Sequence, residues 1–89
     1  MKTRPKDTKK SGLEISPDDF LGWFDDCEKS IAAGESIDYC GRYVHAIIWS
    51  DQKYNIYADV YRNGHFNRQL RSTTVSGAVR EILDHFGNE

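Results

Sequence analysis

Three residues able to bind a metal or act as a nucleophile–base pair lie near the middle of the chain: Cys27, Cys40 and His45. Thiolate and imidazole are zinc ligands, but a structural zinc site takes four of them with short paired spacings. This set lacks a fourth member and has no such pairing, so no metal or other cofactor is expected. Cys40 near His45 suggests a thiolate nucleophile. That chemistry also needs a group to orient the imidazole and donors for an oxyanion, and no motif supplies either. Glu81 and His85 stand at i, i+4 on a predicted helix, the spacing of a surface pair. The chain has no phosphate-cradling glycine loop and no G-x-S-x-G, H-E-x-x-H or C-x-x-C. It is therefore expected not to be an enzyme.

Binding is the better lead. Tyr57 and Tyr61 alternate along one predicted strand, and His65 and Arg71 lie on the next. Tyrosine and arginine dominate protein interfaces because they bury area at low ordering cost. Stacking of unpaired bases uses the same residue types. Val44 and Ile48 would add apolar area to the same face, and Asp25 and Asp26 an acidic helix surface.

The elements that must position these residues follow from local signals. Ser16, Pro17, Asp18 and Asp19 read as a helix start, with Ile15 and Phe20 at hydrophobic-staple spacing. Phe20, Trp23, Phe24, Cys27 and Ile31 then form one apolar stripe, and Gly34 stops the helix. A last helix runs from about Thr74 to Phe86, with Val75, Val79, Ile82, Leu83 and Phe86 on its stripe. Between them, RYVHAIIW, KYNIYADVYR and HFNRQLR are rich in β-branched and aromatic residues, separated by SDQK and Asn63-Gly64. This predicts an α+β fold of order α-β-β-β-α: a three-stranded antiparallel sheet with both helices packed on one face.

A three-residue Arg62-Asn63-Gly64 loop with a bulge best segregates the second hairpin. It pairs Val60 with Phe66 and Ile56 with Leu70, leaving Tyr57, Tyr61, His65 and Arg71 outside. For the first strand, a tight turn pairing Trp49 with Tyr54 favours Tyr43, His45, Ile47 and Trp49 on the helix side. Either choice leaves an apolar row on the open face beside Tyr57.

At 89 residues the chain allows one domain. Residues 1–12 carry five basic residues and one acid, and read as a flexible basic tail before a domain over 13–89. No apolar run follows those charges as in a signal peptide, and none is long enough to span a membrane. Two cysteines are few for a small secreted domain, so a cytoplasmic protein with free thiols is expected, with a Cys27–Cys40 bridge as the alternative. The net charge of −2 hides segregation: +4 over residues 1–12, −7 over 13–40, +3 over 41–72 and −2 over the remainder. That balance does not favour binding duplex phosphate by charge alone.

The α-β-β-β-α order resembles the double-stranded-RNA-binding domain over about 70 residues, at the level of element order. That family's second helix opens with a lysine-rich run. Here the stretch reads STTVSGAVREIL, with Arg80 its only base, so no RNA-contacting residue carries over. The order is also similar to that of some small phage anti-CRISPR inhibitors, which pair acidic surface with a compact sheet. The expected function is a small non-enzymatic protein-binding module, an accessory or inhibitor of bacterial or phage origin that could form a homodimer. The alternative is nucleic-acid binding through the basic tail and the Tyr/Arg sheet face.

Overall fold

The computed structural model describes residues 2–16, 24–51 and 55–86. The chain forms a five-stranded mixed sheet in the order β1-β2-β3-β4-β5, with two helices. The strands are β1 (Lys9–Ile15), β2 (Glu35–Cys40), β3 (Val44–Ser50), β4 (Ile56–Arg62) and β5 (His65–Ser72). The helices are α1 (Phe24–Ala32) and α2 (Val75–Phe86). The expected three-stranded antiparallel sheet is corrected: β1 and β2 extend it, and they run parallel because α1 lies between them as a crossover. Strand β1 begins at Lys9, inside the segment read as a tail. The helix-start residues 17–20, the turn residues 52–54 and Gly87 lie outside the described residues.

Each helix ends or starts on the residue its sequence suggests. Gly34, at φ +82°, stops α1, and its N–H bonds to the Ile31 carbonyl at 3.0 Å. Thr74 caps α2, its Oγ1 accepting the Gly77 N–H at 2.9 Å. Both helices share one core. Cys27 and Ile31 of α1 and Val75, Val79, Ile82 and Phe86 of α2 pack with Ile15, Ile37, Tyr39, Val44, Ala46, Ile48, Ile56, Ala58, Val60 and Leu70.

The β3 pairing decides which of its residues face the helices. Ala46 pairs with Val60 and Ile48 with Ala58, so the even-numbered residues join the core. Val44 and Ile48, expected on the open face, lie under the helices, and the odd-numbered set faces away from them. Pairing across an antiparallel ladder keeps partners on one face, and Ala58 and Val60 already belong to the core.

The β4–β5 turn is also corrected. Asn63 (φ +54°) and Gly64 (φ +81°) are both left-handed, the signature of a two-residue turn that matches strand twist. Arg62 therefore pairs with His65 and Tyr61 with Phe66. One position on, the register shifts, and Val60 pairs with Arg68, leaving Asn67 as the extra residue. The bulge puts Phe66 beside Tyr61 and still seats Leu70 in the core. His65 moves with Arg62, out of the Tyr57–Tyr61 row.

Candidate functional site

The helix-free face is built from cross-strand rows, because each register pair sets its side chains side by side. The row nearest the hairpin tip runs Cys40, His45, Tyr61, Phe66 across β2 to β5. Its ring centroids step by 6.3 Å from His45 to Tyr61 and by 5.7 Å from Tyr61 to Phe66, the latter pair edge-to-face at 77°. Tyr43 stands beside this row with the Arg42 guanidinium 5.3 Å from its ring centre. Tyr43 and Phe66 are 52% and 45% exposed, against near-complete burial of the core. With Ile47 and the Asn63-Gly64 turn, Tyr43, His45 and Tyr61 line an open groove of about 540 Å³. The loop under the groove is tightly drawn: the Gly41 N–H donates to the Val44 carbonyl at 2.8 Å, and a Cβ at Gly41 would meet that oxygen at 3.0 Å.

The middle row runs Glu14, Asp38, Ile47, Asp59, Gln69. Asp38 is buried, with Lys10 Nζ at 3.0 Å and His45 Nε2 at 3.7 Å. Asp59 accepts from Trp49 Nε1 at 2.9 Å and from Gln69 Nε2 at 2.8 Å. The basic segment 2–8 reaches this row through its first residues: Arg4 lines a hollow with Asp38 and Ile47, and residues 5–8 close a turn in which the Thr8 N–H donates to the Pro5 carbonyl at 3.2 Å. The Lys2 N–H donates to Gln69 Oε1 at 2.9 Å, and Gln69 Nε2 donates to the Lys2 carbonyl at 2.7 Å.

The third row runs Trp49, Tyr57, Arg71. Trp49 is fully buried although neither of the two helices described packs on this face. Tyr57 stacks on it at 4.7 Å and donates its hydroxyl to Asp51 Oδ2 at 3.2 Å. Burial, reinforced by the Asp51 charge, pushes the Tyr57 phenol above its ordinary pKa.

The residues singled out from sequence are thus dispersed. Tyr61 lies in the ring row, half-buried. Tyr57 is buried against Trp49, and Arg71 is exposed beside it. His65 sits opposite Arg62, and Val44 and Ile48 are core residues. Asp25 and Asp26 are exposed in the first turn of α1, on the opposite layer. Sequence reasoning missed Phe66, which the expected loop length placed in the core, and Gln69, whose role depends on a segment 67 residues away.

The candidate chemistry resolves by position. Cys27 is buried beneath α1, while Cys40 and His45 lie on the other side of the sheet, so the three do not converge; both thiols are free. Among the described residues no group of three or more His, Cys, Asp or Glu is placed to hold a metal. Cys40, His45 and Asp38 do share one face. Cys40 is an exposed residue, but partial desolvation of its sulfur, then the Glu14 and Asp38 charges, push the thiol above its ordinary pKa, which favours the unreactive protonated form. Alkylation of Cys40 by iodoacetamide at neutral pH is expected to run several-fold slower than that of a peptide thiol. Its pH midpoint should be displaced to the alkaline side, and Glu14→Gln should move it back. A rate above that of the peptide thiol would reopen the nucleophile reading. Glu81 and His85 form an exposed pair at 3.5 Å.

Among the described residues no helix is long and apolar enough to cross a membrane. Compared with known proteins, the chain matches no family model, no curated protein and no solved structure.

Proposed function

We propose that the protein is a small non-enzymatic protein-binding module, an accessory or inhibitor, that engages its partner through the ring row of the helix-free face. The observation that carries this is a pair of half-exposed rings: Tyr43, which lines one groove with Tyr61 and Ile47, and Phe66, which packs edge-on against Tyr61 beside it. Rigid aromatic side chains beside an arginine are what interface hot spots are made of. The acidic turn of α1 belongs to the other layer and is not part of this contact.

The middle row weighs against nucleic acid as the ligand. It carries Glu14, Asp38 and Asp59, and the basic segment that would grip phosphate is tied to this acidic row through Lys2 on Gln69.

The test compares wild type with Tyr43→Ala and Phe66→Ala in cross-linked capture followed by titration of the purified partner. Each substitution at an exposed ring is expected to weaken binding about 10-fold or more without changing thermal unfolding. Equal affinity in both variants overturns the reading. A ring-dependent, salt-sensitive shift of single-stranded oligonucleotides in place of any protein would assign the groove to nucleic acid.

A further inference from the structure

We propose that the middle row of the helix-free face is a peptide-binding channel, held in cis by the 2–4 end of the basic segment and able to take instead a basic segment of a partner protein. The inference rests on reading this face as protein-binding, but it concerns a different row and has its own test.

Three features make the row a receptor and not simply a surface on which the segment rests. First, the Gln69 amide hydrogen-bonds both main-chain groups of a single residue, Lys2, at 2.9 and 2.7 Å. Such a two-way contact reads extended backbone regardless of side chain. Second, Gln69 is oriented beforehand. Its Nε2 also donates to Asp59 Oδ1 at 2.8 Å, and Asp59 Oδ2 is fixed by the indole N–H of the buried Trp49 at 2.9 Å. A receptor group locked by its neighbours loses little freedom on binding. Third, the charges are complementary: the segment carries Lys2, Arg4 and Lys6 against the single acid Asp7, and Arg4 lines a hollow with Asp38 of a row that also contains Glu14 and Asp59.

The cis occupant is also replaceable. Residues 2–7 remain exposed, Lys2 included although it is held by Gln69. Beneath them, Arg4 and Thr8 leave a hollow of about 220 Å³ against Asp38, His45 and Ile47.

The test uses a Trp23→Phe background, so that Trp49 is the sole tryptophan, and a variant lacking residues 2–8. This variant is expected to unfold cooperatively and to show several-fold greater acrylamide quenching of Trp49. A synthetic acetylated and amidated peptide of residues 1–8 should restore the quenching of the complete chain with saturable binding. The same peptide with Lys and Arg replaced by Glu should not. Gln69→Ala in the shortened chain should weaken the peptide at least 10-fold while unfolding remains cooperative. In the full-length chain Gln69→Ala should speed hydrogen exchange of residues 2–8 by a similar factor. Loss of cooperative folding on deletion makes the segment part of the fold and overturns the proposal. So does peptide binding indifferent to Gln69 or to peptide charge. A dimer of the full-length chain that dissociates on deletion would place the segment in a second copy and overturn the cis assignment. These outcomes do not depend on Tyr43 or Phe66, so the channel and the ring row can fail separately.

Discussion

Trp49→Ala should destabilise the protein by about 3–5 kcal/mol, read as a fall in the urea midpoint. The residue lies outside the helix-covered core, yet it is the largest fully buried side chain. Its removal deletes the stack on Tyr57 at 4.7 Å and the indole N–H that satisfies Asp59 Oδ2. An aromatic stack adds about 0.5–1.5 kcal/mol beyond area burial, and an unsatisfied buried acceptor costs about 1–3 kcal/mol. Trp49→Phe separates these terms. It keeps a ring over Tyr57 but removes the indole donor from the part-buried Asp59 Oδ2, while Gln69 still serves Oδ1, so its cost should fall in the lower range, about 1–3 kcal/mol. A loss below about 1 kcal/mol for Trp49→Ala is what an ordinary surface tryptophan would give, and it would remove the second packed layer on which both rows depend.

That layer shows why the face was only partly legible in the sequence. The caps and stops could be read locally: Thr74 before α2, Gly34 after α1 and Asn63-Gly64 between two strands each act within a few residues. The core positions Ile56, Ala58, Val60 and Leu70 were also legible, since alternation marks one face of a strand whatever its partners. The face of β3 was not. Val44, Ala46 and Ile48 alternate with Tyr43, His45, Ile47 and Trp49, and both sets look largely apolar because the second face also carries rings, with Trp49 buried and Ile47 half-buried there. Only the pairing with β4 separates them, and the turn that sets it includes residues outside those described. The bulge at Asn67 was hidden for a related reason. Turn chemistry demanded a two-residue loop while Leu70 demanded the core, and one extra residue satisfies both. Gln69 reads as an unremarkable polar residue until the segment that meets it is in place.

Ile15→Ala separates the five-stranded sheet from the smaller one expected from the sequence. As a staple residue ahead of a helix cap, Ile15 would contribute about 0.3–1.5 kcal/mol. In the structure it closes β1, pairs with Tyr39 in parallel register and is 1% exposed within the main core. Truncating a fully buried isoleucine costs about 2–5 kcal/mol, so the two architectures predict separable urea midpoints. The consequence reaches the candidate site. Lys10 of β1 holds Asp38 at 3.0 Å, and residues 2–8 depart onto the sheet face from the start of the same strand. Loosening β1 should therefore raise hydrogen exchange along Lys9–Ile15 and in residues 2–8 together, before β3 to β5 respond. Parallel pairing at an edge has few hydrogen bonds to share, and β1 shifts register between Lys10 and Glu14, so this strand should be the first to open. A loss of only a few tenths of a kcal/mol, with uniform exchange across all five strands, would leave Ile15 outside the core and the basic segment without its anchor.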